Sequence, residues 1–236
     1  TATNAVLQRD FGRLGLVVTA GFQHVLEIAR QSVPDGYGNS YFWVKPERPV
    51  TLERVVGVGG RMRFDGSELE PLSEEDVRLA AEELSRRGVD CVAVCLLHSY
   101  ANPTHEQRVG ELLAELMPGA FISLSSVVLP EYREYERAMT TILDVMVKPF
   151  TRDYLANAER RIHDEIGEVP FLIMQSNGGV VSAREIGERP ITTLLSGPAA
   201  GVLAAIHIGR NAGYENLLTL DAGGTSTDVC LIENLQ

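Results

Sequence analysis

The stretch Leu217–Gln236, LLTLDAGGTSTDVCLIENLQ, decides how this chain is read, because one apolar run ends in Asp221 and another starts after Asp228. Two strands joined by so short a polar link form a β-hairpin. Gly223 and Gly224 permit backbone conformations and a close approach that a Cβ would forbid. Beyond them, consecutive N–H groups form an anion-binding nest, and the hydroxyls of Thr225, Ser226 and Thr227 add donors. The carboxylates at the two ends are suited to a divalent cation held through water. Phosphate binding by a hairpin loop is the predicted chemistry. A Walker loop is excluded, since Lys is absent and no helix follows the glycines. The blander reading is a Gly-Gly turn with polar decoration; the Asp pair and the Thr-Ser-Thr run favour phosphate.

Composition sets the class of protein around this hairpin. The chain has 236 residues, 44% hydrophobic and 22% charged, enough to bury a sizeable core as one large domain or two modest ones. Its formal charge of -11 argues against a nucleic-acid or anionic-membrane surface, which recruits clustered Lys and Arg. Cys91, Cys95 and Cys230 are odd in number and lie in apolar runs, as expected of small hydrophobes in a reducing, cytoplasmic setting. No stretch reaches the roughly 20 apolar residues of a membrane span. The start, TATNAVLQRDFGRLG, has no initiator Met and no signal-peptide core, and reads as cut from something longer.

Strands alternate with helices along the chain. GLVVT (15–19) reads as a buried strand, HVLEIARQ as a helix, and 32–49 as a long loop anchored by Trp43. ERVVGVGGRMRFDG carries a hairpin signal at Gly59-Gly60. In LSEEDVRLAAEELSRRG, Ser73 is a candidate N-cap, Val77, Ala80, Ala81 and Leu84 form one apolar face, and Gly88 ends the helix. The strand VDCVAVCLL follows; then Asn102-Pro103-Thr104 opens a helix through Val109, Leu112, Leu113 and Leu116, and AFISL is the next strand. Nearly continuous apolar strands joined through a helix predict a parallel, doubly covered βαβ crossover. EYREYERAMTTILDVMV reads as a helix ended by Pro149, with a further helix through TRDYLANAERRIHDEI. FLIMQ, the turn Ser176-Asn177-Gly178-Gly179, a helix near AREIG and a helix PAAGVLAAIHIG lead to the closing strands. The expected class is α/β, mixed sheets with flanking helices, with domains at 1–128 and 129–236.

DAGGTSTDV resembles the second phosphate motif of the hydantoinase A and 5-oxoprolinase family, part of the actin-like, sugar-kinase and heat-shock ATPase superfamily. ATNAVLQRD, LVVTAGFQHVLEIARQ, LPEYREYERAMTTILDVMVKPF, MQSNGGV and RPITTLLSGPAAGV resemble other stretches of that family, in the expected order. The resemblance implies an actin-like (ribonuclease H-like) two-lobed fold, with an earlier phosphate hairpin upstream and adenosine contacts downstream, so that the chain is an internal fragment. It implies ATP-dependent opening of a cyclic amide such as 5-oxoproline or a hydantoin, or carboxylation of a ketone such as acetone. The subunit would phosphorylate the carbonyl oxygen, and a hydantoinase B-type partner subunit or domain would complete hydrolysis. ATP and magnesium are the implied cofactors, with room for a monovalent cation.

On that resemblance Asp221 holds magnesium or orients the attacking group, and Gly223, Gly224, Thr225, Ser226 and Thr227 cradle phosphates. Asp228 is either a second catalytic carboxylate or only a partner for a backbone N–H. The family usually has Met where this chain has Ala222, away from any phosphate contact. Ser196 and Gly197 open a helix of small residues that joins the lobes in the superfamily; a capped, tightly packed helix is the alternative. Ser176, Asn177 and Arg137 are substrate candidates, against a plain turn and a solvated helix face. His24, His98, His105, His163 and His207 lack partners at ligand spacing, so zinc is not expected. A sugar-kinase-like or dehydratase-activator ATPase, or a non-catalytic scaffold module, are the competing readings.

Overall fold

The computed structural model describes Thr3, Val6 and residues 13–31, 47–223 and 227–235. The chain divides into two compact units, Gln8–Pro149 and Thr1–Leu7 with Phe150–Gln236. The loop anchored by Trp43 lies outside the described residues.

In the first unit β1 (Leu14–Thr19) leads through one helical turn, α1 (Val25–Ile28), and a 3-10 turn at Leu52–Arg54 to β2 (Val55–Val58). β3 (Arg61–Met62) and β4 (Glu68–Glu70) form a small antiparallel pair before α2 (Glu74–Arg86), β5 (Cys91–Cys95), α3 (Thr104–Leu116), β6 (Phe121–Leu124) and α4 (Ser125–Val128). The main sheet is parallel throughout, in the order β2-β1-β5-β6. Every residue of β1 and β5 is buried, as their unbroken apolar runs require of central parallel strands.

Helices cover both faces. Val77, Ala80, Ala81 and Leu84 of α2 and Val109, Leu112 and Leu113 of α3 share one core with Val92 and Val94 of β5. The other face receives the first half of the long helix α5 (Glu134–Ile166), where Ser123 Oγ donates to buried Asp144 at 2.7 Å and Lys148 Nζ reaches Ile122 O at 2.8 Å. Ser73 caps α2 by accepting from Asp76 N at 3.3 Å.

Three expectations are corrected. Pro149 does not end a helix: α5 runs through it from Glu134 to Ile166, its apolar side seated by Ala138, Ile142, Val145 and Met146, all buried. Packing there outweighs the one N–H that proline removes. Gly59-Gly60 is not a hairpin turn, because β2 pairs with β1 and Gly59 N donates instead to Asp76 Oδ2 at 2.8 Å, tying the strand to α2. The helix predicted over HVLEIARQ is a single turn, stopped where Ala29 and Gln31 take positive φ.

In the second unit the rest of α5 is followed by β7 (Leu172–Met174), β8 (Val180–Ser182), α6 (Ala183–Glu188), a 3-10 turn at Pro190–Thr193, α7 (Ser196–Ala212), β9 (Leu217–Ala222) and β10 (Thr227–Ile232). Leu155, Ala183 and Ile186 make a small core with Phe171, Ile173 and Val181. β9 and β10 form the antiparallel hairpin expected from the sequence.

Candidate functional site

The register of the hairpin places its functional groups. Leu217 pairs with Ile232, Thr219 with Cys230 and Asp221 with Asp228, so these six side chains share one face of the ribbon. Ile232 is fully buried, and a Cβ on Gly209 of α7 would meet Leu217 Cδ1 at 2.5 Å, so this face lies against α7. The opposite face carries Leu218, Leu220, Val229 and Leu231, each more than 60% exposed.

Asp221 and Asp228 therefore stand directly across from each other at the turn end of the ribbon, with Gly223 and Thr227 just beyond. Gly224, Thr225 and Ser226 lie outside the described residues. Directly opposed like charges repel, so the pair is placed to gain from a cation or from donors brought between them. Among the described residues no group of three His, Cys, Asp or Glu side chains is placed to hold a metal. Two carboxylates fit Mg2+, which keeps most of its water and takes the remaining ligands from phosphate.

The short connection 213–216, closed by Gly213 in the left-handed region, turns β9 back along α7. Ser196 and Gly197 open α7 with no side-chain cap, and a Cβ at Gly197 would meet nothing within 4 Å. A helix N-terminus of this kind offers free N–H groups and a partial positive charge.

Two further segments bond to the chain that leads into α7. Ser176 donates to Thr192 O twice, from its N–H at 2.7 Å and its Oγ at 3.0 Å. Gly178, at φ 84°, sits so close to Leu203 that a Cβ would come within 2.9 Å of its Cδ1. Asn177 Oδ1 accepts from Gly179 N at 2.9 Å, closing the turn on itself. Thr3 Oγ1 accepts from Leu195 N at 3.0 Å, immediately before α7. Thr3 and Ser176 thus both bond to the approach Thr192–Leu195 that leads into α7.

Arg137 belongs to the other unit and is fully buried. Its guanidinium donates to Glu131 O at 3.0 Å and Leu96 O at 2.5 Å and lies 5.5 Å from the Tyr100 ring centroid. Nearby, the fully buried Glu106 carboxylate accepts from Leu96 N at 2.8 Å, Ser125 Oγ at 2.5 Å and Ser126 N at 2.8 Å. The Leu96 peptide is gripped at its N–H by Glu106 and at its C=O by Arg137. This arrangement escaped sequence reading, although a Glu three residues before Val109 on an apolar helix face was the available signal. Burial pushes the Cys91 thiol up to about 12 and raises that of Cys95, so both stay protonated.

Comparison with known proteins agrees with these features. The hydantoinase/oxoprolinase N-terminal region matches residues 1–117, and the hydantoinase/oxoprolinase domain matches 137–236. The chain belongs to the hydantoinase/oxoprolinase family. It is 30% identical to the caprolactamase subunit alpha of Pseudomonas jessenii, over 98% of this chain and 33% of that one. With 5-oxoprolinase 1 of Arabidopsis thaliana it shares 34% identity, over 97% of this chain and 19% of the relative. The nucleotide-free structure of acetone carboxylase, an ATP-dependent enzyme, superposes with a TM-score of 0.90 at 28% identity, covering all of this chain and 34% of that chain. The chain spans between 19% and 34% of the length of these proteins. Its mixed α/β architecture, a parallel sheet with flanking helices, is consistent with the actin-like ATPase fold.

Proposed function

We infer that the whole protein is an ATP-dependent hydrolase of cyclic amides, of hydantoin or 5-oxoproline type, and that this chain carries part of the subunit that phosphorylates the carbonyl oxygen. One observation carries the reading: Asp221 and Asp228 oppose each other in the last pairs before the glycine-rich turn of the hairpin. A lactam is a poor electrophile, and a phosphoryl group on its oxygen turns that oxygen into a leaving group. ATP with Mg2+ would supply that group and neutralise its charge.

The chain's own residues then have positional tasks. Asp221 holds the cation through water or orients the attacking oxygen, and Asp228 shares the cation's charge. Backbone N–H groups from Gly223 to Thr227 and the hydroxyls of Thr225, Ser226 and Thr227 receive the phosphates. Ser196 and Gly197 add the N–H groups of the α7 terminus. Ser176 and Asn177 are the substrate-side residues; Nη1 and Nη2 of Arg137 are engaged inside the other unit. The domain assignment that goes with this is an N-terminal region to residue 128 and the first part of the ATPase domain from 129.

The partner would be a hydantoinase B-type subunit or domain that completes hydrolysis, in keeping with a relative that is itself named as one subunit of a caprolactamase. Free thiols at Cys91, Cys95 and Cys230 suit a cytoplasmic protein, and among the described residues no helix is long and apolar enough to cross a membrane. The likeness to acetone carboxylase favours one second reading, ketone carboxylation, in which the same phosphorylation falls on an enolate or on bicarbonate.

The test is phosphate release by the whole protein over 5-oxoproline, hydantoin, caprolactam and acetone with bicarbonate, with and without the partner. Release stimulated by one cyclic amide is expected, and Asp221→Asn should lower it by about 100-fold or more. Stimulation by the ketone alone would select the carboxylase reading, and unchanged Mg2+-dependent turnover in Asp221→Asn would remove Asp221 from the site.

A further inference from the structure

The second unit holds a cleft of about 490 Å³ between the end of α5, the connection 167–171 and the start of α6. None of its lining residues belongs to the hairpin, to α7 or to the Ser176–Gly179 turn. Its size is that of a site for a small organic molecule, roughly 300–1,000 Å³. The walls are held from behind. Gly167, at φ 96°, turns the chain where α5 ends, and its N–H donates to His163 O at 2.9 Å. Phe171 packs against the small core of Leu155, Ala183 and Ile186, and its carbonyl accepts from Ala183 N at 3.3 Å. Ser182 and Glu185 cap the start of α6 reciprocally. A ligand entering here has little protein to order, which favours binding.

Four ionisable side chains line the cleft: Glu159 and His163, four residues apart and so on one face of α5, Glu168 on the connection, and Arg184 on α6. Among the described residues none of the four makes an ion pair or a side-chain hydrogen bond. Charges of both signs therefore border one space without meeting, and Ile162 and Phe171, both half-buried, give it apolar wall. Such a lining selects by charge. A phosphate or a dicarboxylate would face Glu159 and Glu168, a simple amine would face Arg184, and an uncharged molecule would leave all three unpaired. A zwitterion serves both signs: its carboxylate fits the guanidinium fork, its ammonium the carboxylates, and its methylenes the apolar wall.

We propose that this cleft binds a linear amino acid whose ammonium and carboxylate are separated by methylenes, with Arg184 holding the carboxylate and Glu159 and Glu168 the ammonium. Opening a lactam with water yields a molecule of this class, because the broken C–N bond leaves a carboxylate on one end of the chain and an ammonium on the other. An opened hydantoin carries a carbamoyl group in place of that ammonium, so the cleft favours lactams as substrates of the whole protein. This last step rests on the proposed function; the amino acid site itself rests on the cleft.

The test uses the whole protein and 6-aminohexanoate, the opened form of caprolactam, with hexanoate and hexylamine as probes that carry one charge each. Calorimetry reads the affinity, and protection of amides from exchange reads the place. 6-Aminohexanoate should protect residues 167–171 and 182–184, and each one-charge probe should bind at least about tenfold more weakly, the scale of one lost charge-assisted hydrogen bond. Arg184→Gln, and Glu159→Gln with Glu168→Gln, should each weaken 6-aminohexanoate by about tenfold or more. These side chains are exposed, so thermal unfolding and the initial rate of lactam-stimulated phosphate release should match the parent. No protection in the cleft, protection only at Ser176–Gly179, or hexanoate binding as well as 6-aminohexanoate would overturn the site. Phosphate release stimulated by hydantoin and by no lactam, with 6-aminohexanoate still bound in the cleft, would overturn the lactam assignment and leave the amino acid site standing.

Discussion

At the scale of single residues the most constrained group is Glu106. Its carboxylate is fully buried and accepts three hydrogen bonds, two of them from backbone N–H groups. Glu106→Gln keeps the size but presents an NH2 where an acceptor is needed, which leaves buried donors facing a donor. The expected loss is about 2–4 kcal/mol in urea unfolding, and a loss under about 1 kcal/mol would mean that water replaces the carboxylate. Arg137 belongs to the same logic. An Arg on a helix face reads as a substrate contact, because periodicity alone does not say whether neighbouring segments have carbonyls to offer. Leu96 O and Glu131 O do. Thr3 is the converse case: nothing local marks it, and only the structure shows its hydroxyl accepting from Leu195 N.

At the scale of elements the short helix α6 gives a prediction with a sign. Ser182 and Glu185 form a reciprocal capping box: Ser182 Oγ accepts from Glu185 N, and Glu185 Oε2 accepts from Ser182 N at 3.0 Å. Hydrogen bonds from the Ser182 hydroxyl and N–H hold the Glu185 carboxyl below its ordinary range. A depressed folded pKa contributes stability that is present above the unfolded value and lost as pH falls through the folded one. Amides of α6 should therefore exchange faster as pH drops from about 5 toward 3, after correction for intrinsic rates. Ser182→Ala should show the faster exchange already at pH 7; a pH-independent profile in the parent would reject the coupling. α5 shows what element-level reading misses. Proline is a strong stop signal, but a helix whose first half buries Ile142, Val145 and Met146 continues through it. Caps at Ser73 and the apolar faces of α2 and α3 were legible because their information is local.

At the scale of the whole molecule, the thiols report on packing. Cys91 and Cys95 are 1% and 6% exposed, with burial holding both as protonated thiols, whereas Cys230 is half-buried on the hairpin. A thiol reagent at pH 8 should modify Cys230 at least about 100-fold faster than the other two, and all three at similar rates in urea. Equal rates in the native protein would mean that the central sheet opens readily. The parallel sheet itself was partly legible: continuous apolar runs marked β1, β5 and β6, while β2 was mistaken for half of a hairpin because Gly59-Gly60 looks like a turn whatever its partner. By itself the sequence determined the α/β class, the helical faces, the hairpin with its two carboxylates, and the family, since each of these rests on neighbours a few residues apart or on motifs read in order. Only the tertiary structure decided that Asp221 opposes Asp228 across the hairpin, that Thr3 and Ser176 bond to the approach to α7, and that Arg137 and Glu106 grip the Leu96 peptide inside the other unit. These depend on strand register and on hydrogen bonds between residues far apart in the chain, and no local pattern of side chains encodes which distant partner a backbone group will find.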